Sequence, residues 1–171
     1  MGVANALPPR FLTGRVRTPR TPHRAPRVSP SPAAPRTLHR SFGALELSLQ
    51  FLPCGSLCSV QLPASPPDAL EAADLREAFD ALARFPITPP RSQAEARFRE
   101  ALERLSPGQT VSYGTLAGEL QTAPRALGSL CRSNRLLLRF PCHRVLAAQG
   151  PGGYRAGIAW KLRLLALEKA L

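Results

Sequence analysis

The chain has 171 residues and a formal net charge of +12, from 23 Lys+Arg against 11 Asp+Glu. That length lets one ordinary domain, or a small domain with accessory material, bury a core. No apolar run approaches the roughly 18 residues of a membrane span, so a soluble protein with no membrane partner is expected.

Charge and proline divide the chain. Residues 1–40 hold eight arginines, no acid and eight of the 19 prolines, residues 41–105 carry a net −3, and residues 106–171 a net +7. A Pro/Arg-rich stretch without apolar periodicity predicts a disordered basic tail over 1–40. From Phe42 the pattern changes. Ala44 to Phe51 alternates apolar and polar residues, as a half-buried strand does, and Leu57 to Leu62 repeats that period. Pro53-Cys54-Gly55-Ser56 reads as the hairpin connection between them. Asp68 to Arg84 follows as a helix with Leu70, Ala73, Leu75, Phe79 and Leu82 on its apolar face. Together these define a reduced strand-strand-helix region over 41–85. Pro86, Pro89 and Pro90 then mark a linker at 86–91.

Ser92 is a helix cap with Glu95 three positions on, which starts a helix from Gln93 to Leu105 that Pro107-Gly108 ends. Ser112 caps a short helix from Tyr113 to Leu120, Gln121-Thr122 makes a turn, and Pro124 opens a helix running to about Ser133. Two short helices joined by a tight turn in a basic region suggest a helix-turn-helix. Arg135 to Phe140 reads as a short extended segment that Pro141 ends. Gly150-Pro151-Gly152-Gly153 forms a loop, and Ala159 to Leu171 makes a last helix that buries Leu162, Leu165 and Leu167.

The stretch with most chemical content is Phe140-Pro141-Cys142-His143-Arg144-Val145. A neighbouring base raises the thiolate fraction of a cysteine, and His143 is placed to serve Cys142 in that way. The bland alternative is a cysteine packed as a small hydrophobe. The other three, Cys54, Cys58 and Cys131, follow no secretory signal, so reduced thiols in a cytoplasmic protein are expected. Cys54 and Cys58 lack a second ligand pair for zinc. The +7 balance of residues 106–171 makes nucleic acid the leading partner.

Pro141-Cys142-His143-Arg144-Val145 resembles the active-site motif of the O6-alkylguanine-DNA alkyltransferases. Three further segments carry the likeness: Gly108 to Ala117 resembles the approach to that family's helix-turn-helix, Ala123-Pro124-Arg125-Ala126-Leu127-Gly128 its recognition helix, and Arg132-Ser133-Asn134 its asparagine hinge. Gly157 through Glu168 is similar to its closing loop and helix. The resemblance implies an α+β protein in which residues 92–171 form a mainly helical, winged-helix-like domain. That domain would act as a monomer on double-stranded DNA containing alkylated guanine, without cofactor or metal.

It also implies roles. Cys142 would accept the alkyl group, His143 take the thiol proton through a water, Glu168 fix the imidazole tautomer, Asn134 support the turn, and Tyr113 donate to the extruded guanine. Arg125 would fill the gap in the base stack, with Ala123, Ala126 and Gly128 giving close approach to the minor groove. Arg132 and Arg144 would be phosphate or structural partners. Tyr154, Arg155 and Ala156 would line the substrate pocket, Arg155-Ala156 standing where the family often has a small polar residue and glycine. The implied activity is single-turnover alkyl transfer from O6-alkylguanine to cysteine. Two alternatives remain: an alkyltransferase-like lesion sensor without transfer, and a helix-turn-helix regulator, which leaves the Cys-His stretch unused.

Overall fold

Leucine alternation at Leu45, Leu47 and Leu49, each essentially inaccessible to solvent, sets the middle of an antiparallel sheet. The computed structural model describes residues 34–169. Its sheet runs in the order β1 (Arg36–Phe42), β2 (Leu45–Phe51) and β3 (Leu57–Gln61). β1 is a strand that periodicity missed, and it carries regular structure back across the boundary expected at residue 40. Arg36, Leu38 and Arg40 share the face of the β2 leucines, since Leu38 pairs with Leu49 and Arg40 with Leu47. They stay exposed at the sheet edge, where charges are tolerated and an apolar signal is weak. The amino-terminal region therefore has three strands. The rest of the expected tail, residues 1–33, lies outside the described residues.

α1 (Ala72–Ala83) begins four residues later than its apolar pattern suggests. A turn closed by Leu70 N–H to the Pro67 carbonyl holds the preceding segment. Glu71 and Asp74 form the capping box that starts the helix. Leu70 is buried from outside the helix, and Leu75, Ala78 and Leu82 from within it. The expected linker is pinned to β3: Leu57 N–H donates to the Pro86 carbonyl, and Thr88 N–H to that of Leu57.

α2 (Gln93–Glu103) is capped by Ser92, whose Oγ accepts from Glu95 N–H at 3.2 Å. The Glu95 carboxylate does not return to Ser92. It accepts from Arg91 N–H and Nε and from Arg99 Nη2.

β4 (Val111–Ser112) leads into α3 (Tyr113–Glu119), and α4 (Pro124–Ser133) follows a turn in which Gln121 has φ +52°. Ser112 caps α3 through Thr115 N–H, and Pro124 occupies the first turn of α4. Residues 135–140 are not the extended segment expected. Only Leu136 makes a bridge, to Val60, and the chain turns back through Leu138 at φ +65° with Phe140 N–H bonded to the Leu136 carbonyl. The apolar run reflects burial of Leu136, Leu137, Leu138 and Phe140 inside a turn, a pattern that a fully buried strand shares.

A 3₁₀ turn (Cys142–Arg144) and β5 (Val145–Leu146) follow, and α5 (Ile158–Leu167) closes the described chain. α5 ends earlier than expected, with Glu168 as its C-cap. It buries Trp160, Lys161, Leu164 and Leu165 and leaves Leu162 exposed, so the expected burial of Leu162 is corrected. Trp160 Nε1 donates to the Pro63 carbonyl, which fixes the rotation of the helix. Among the described residues no helix is long and apolar enough to cross a membrane.

Candidate active site

The short parallel pairing of β4 with β5, Val111 opposite Val145 and Ser112 opposite Leu146, builds the site. It brings the start of α3, with Tyr113 as its first residue, beside the strand that leaves the Cys-His turn. Residues about 30 apart in sequence thus become neighbours.

Asn134, the C-cap of α4, organises the turn before the cysteine. Its Oδ1 accepts from Leu136 N–H at 3.1 Å. Its Nδ2 donates to the Phe140 carbonyl at 2.9 Å and to Cys142 Sγ at 3.2 Å. One buried amide therefore fixes both arms of the turn and aims a donor at the thiol. Burial pushes the Cys142 pKa up, opposed by the Asn134 hydrogen bond and the positive charge of Lys161.

His143 is fully buried, and its Nε2 lies 3.0 Å from Glu168 Oε1. Its Nδ1 bonds to no protein group among the described residues. With Nε2 donating to the carboxylate, Nδ1 carries the lone pair and can take a proton. Burial lowers the His143 pKa, against the opposing pull of Glu168, which favours the neutral base. The ring lies between Phe79 of α1, 6.4 Å away and stacked, and Tyr154, 6.1 Å away and edge-on. The amino-terminal region thus supplies one wall of the His143 site.

Glu168 serves two partners, the neutral His143 imidazole and the Arg144 guanidinium. Arg144 donates to it through Nε at 2.9 Å and Nη2 at 2.7 Å, and through Nη1 to the Leu105 carbonyl. The Arg144 guanidinium also covers the Phe79 ring. Arg144, at 4% exposure, is therefore a structural partner rather than a phosphate ligand. Burial alone would raise the Glu168 pKa. The hydrogen bonds and charges of His143 and Arg144 outweigh it and hold the carboxyl at about 2. Gly108, at φ +82°, lets its loop approach this corner, since a Cβ there would sit 2.9 Å from the Glu168 carbonyl oxygen.

A cavity of about 680 Å³ opens over Cys142. Tyr113, Cys131, Tyr154 and Arg155 line it, with Arg125, Gly128 and Arg132 contributed by α4. Gly152 at φ +72° forms part of the wall, and a side chain there would press on Tyr113 and Ala147. Tyr113 and Tyr154 both have pKa values raised by burial, so each remains a neutral phenol. The Tyr154 hydroxyl has no partner among the described residues. Arg155 donates to the Arg132 carbonyl at 3.2 Å, tying the 150–157 loop to the end of α4 at the rim. His143, Asn134 and Glu168 support the site from beneath without lining the cavity. Ala123 and Ala126 are exposed on α4 outside it. Ala156 is half-buried against the core and is not part of the cavity wall, a correction to its expected place.

Two residues escaped the sequence reading. Lys161 is fully buried, with Nζ donating to the Val145 carbonyl at 2.6 Å and the Gly153 carbonyl at 3.4 Å, and it places positive charge near both thiols. A lysine inside the apolar run Ala159-Trp160-Lys161-Leu162 was the available signal, because a lone buried amine needs a reason. Cys131 gave no such signal, since a cysteine on a helix face usually only packs.

The buried ion pair gives a stability prediction. Glu168 binds its proton less readily folded than unfolded, with a pKa of about 2 against 4.5. Its contribution, roughly 3 kcal/mol, is complete above the unfolded value and lost as pH falls through the folded one. His143, also depressed, adds a loss that begins as pH drops below its unfolded value of 6.5. Urea unfolding across the acid range should show stability falling monotonically from near that value. A flat profile down to pH 4.5 would contradict the burial of His143.

Comparison with known proteins agrees with this geometry. A family model described as the DNA binding domain of 6-O-methylguanine DNA methyltransferase matches residues 93–170. A methylated-DNA–protein-cysteine methyltransferase of Methanopyrus kandleri is 42% identical over 90 residues, covering 51% of this chain and 69% of that protein. Its counterpart in Metallosphaera sedula is 40% identical over 75 residues, and there the chain spans about half the relative's length, 48%, and 44% of its own. Among solved structures, Mycobacterium tuberculosis O6-methylguanine methyltransferase superposes with a TM-score of 0.60 at 26% identity, over 80% of this chain and 93% of that one. The same organism's OGT, solved in complex with DNA, gives 0.59 at 27% identity over 79% and 92%. On the sequence match, the fold and the Cys142 site together, this chain belongs to the methylated-DNA–protein-cysteine methyltransferase family.

Proposed function

We propose that this protein repairs DNA by direct, irreversible transfer of an alkyl group from O6-alkylguanine to Cys142. One observation carries the reading: the Cys142 thiol, held by Asn134, lines a cavity large enough for a base, and the adjacent His143 is oriented by Glu168. In this reading His143 Nδ1 takes the thiol proton through a water, and Cys142 Sγ attacks the alkyl carbon in line. The S–C bond forms as the C–O6 bond breaks, and the Tyr113 hydroxyl donates to the departing guanine. No cofactor is needed. Each molecule acts once, because the thioether has no route back.

Residues 92–171 carry both DNA binding and chemistry here, the 86–91 segment joins them to the amino-terminal region, and the protein works as a monomer in the cytoplasm. α3 and α4 act as the helix-turn-helix of a winged-helix-like domain, with α4 entering the minor groove. The target base is buried in duplex DNA and must be turned out at a cost of a few kcal/mol. Arg125, exposed at the cavity edge, fills the gap, while Ala123, Ala126 and Gly128 allow close approach. Arg132 meets phosphate.

Mixing the protein with an excess of duplex carrying one O6-methylguanine tests the reading. Repaired guanine should rise to the molar amount of protein and stop. If the lesion is bound and persists unrepaired, the sensor reading replaces this one, and the Arg155 tie at the cavity rim is the observation that favours it.

Arg125→Ala should slow transfer on duplex about tenfold or more, equivalent to roughly 1.4 kcal/mol in the barrier. Affinity for undamaged duplex should fall much less, since one charge among several contributes little to total counterion release. Single-turnover rates beside a salt titration of binding check this. Equal rates in mutant and parent would remove Arg125 from that role.

A further inference from the structure

Resting on the reading of Cys142 as nucleophile, we propose that Cys131 and Cys142 form a reactive dithiol pair, which a peroxide closes to an intramolecular disulfide and a thiol reductant reopens. Cys131 lies one helical turn before Asn134 on α4, so the two side chains share a helix face. The Asn134 amide touches Cys142 Sγ at 3.2 Å, and the Cys142 sulfur is near enough to Cys131 for its charge to oppose ionisation there. Both cysteines line the same cavity, and both are free thiols. The cavity opening admits a molecule as small as hydrogen peroxide to sulfurs that are otherwise buried, at 7% and 3% exposure.

The environments of the two sulfurs assign an order. Cys142 receives the Asn134 donor at 3.2 Å and is the nucleophile of the transfer step, so it reacts first. Its thiolate attacks the peroxide O–O bond, forming a sulfenic acid and releasing hydroxide. Cys131 is held protonated by burial, with a pKa of about 12, even though Tyr113 hydrogen-bonds to it. Its sulfur attacks the sulfenic sulfur, the S–S bond forms, the S–O bond breaks, and water leaves with the thiol proton. Two thiols are oxidised and one peroxide is reduced to two waters. The bridge blocks alkyl transfer, and it also spares Cys142 from irreversible oxidation to sulfinic acid.

The test compares the full chain with Cys131→Ser and Cys131→Ala after limited hydrogen peroxide, each normalised to its own reduced activity. The parent should lose two hydrogens in mass, yield a Cys131–Cys142 linked peptide, lose transfer activity, and regain nearly all of it with dithiothreitol. The variants should instead gain two or three oxygens at Cys142, as sulfinic or sulfonic acid, and remain inactive after reduction. Circular dichroism verifies folding, and the two variants guard against a defect peculiar to one. A parent that gains oxygen at Cys142 as fast as the variants, or that forms only a Cys54–Cys58 bridge, overturns the proposal. If the reduced parent never transfers an alkyl group, the functional reading fails instead, and the mass and peptide results still decide the dithiol.

Discussion

Replacing Glu168 with glutamine will slow alkyl transfer by two orders of magnitude or more, and will lower the unfolding free energy by about 3 kcal/mol. Both effects come from one carboxylate. It accepts from His143 Nε2 at 3.0 Å and from Arg144 at 2.7 and 2.9 Å, and its side chain is only 3% exposed. An amide keeps the shape but not the charge, which leaves the Arg144 guanidinium buried without its counter-ion. The amide can also present its N–H to His143 Nε2, which stabilises the tautomer with the proton on Nδ1. That imidazole has its lone pair tied up and cannot take the thiol proton. Stability loss alone would slow transfer only through the unfolded fraction and would leave the pH dependence of the folded protein unchanged. Loss of orientation shifts the single-turnover pH profile to higher pH, where free thiolate forms without a base. A folded mutant with the parental rate and profile would reduce Glu168 to a structural partner of Arg144.

Asn134→Ala should cost about 2–4 kcal/mol, because it orphans the Leu136 N–H in a buried turn, at roughly 1–3 kcal/mol, and takes one of two donors from the Phe140 carbonyl, which keeps the Cys142 N–H. The thiol loses its only side-chain donor among the described residues, so its pKa rises further and transfer at neutral pH falls about tenfold or more. Asn134→Asp separates the two effects. It retains the acceptor for Leu136 N–H but sets a negative charge against Sγ, so stability should partly recover while transfer stays low. Denaturant unfolding and iodoacetamide alkylation across pH measure them apart. If Asn134→Asp transfers as fast as the parent, the hydrogen bond to sulfur has no chemical role.

Much of this was legible from the chain because the signals were local. Ser92, Ser112 and Pro124 start their helices where capping chemistry places them, and the β2 leucines alternate over a buried face. The order Asn134, Cys142, His143, Glu168 is also recoverable, and the first three fall within one tight turn and its flank. The failures share a cause. β1 takes its conformation from pairing with β2 rather than from its own sequence. Leu136 to Leu138 look like a strand, since burial on all sides gives the same apolar run in a strand or a turn. Leu162 was assigned inward because helix rotation depends on partners such as Pro63 that lie about 100 residues away. The doubled duty of Glu168 was invisible for the same reason, since nothing in Cys142-His143-Arg144 says that two adjacent side chains converge on one acid. The cavity is likewise a product of the β4–β5 pairing and the turn at Gly152.

The central claim is that Cys142 is the acceptor. Its most direct test is the intact mass of the protein after incubation with a duplex containing O6-methylguanine, followed by peptide mapping. The account predicts a single added methyl group on Cys142, with Cys54, Cys58 and Cys131 unmodified. Retention of the lesion in a bound but unmodified complex, or a methyl group on any other residue, would contradict it.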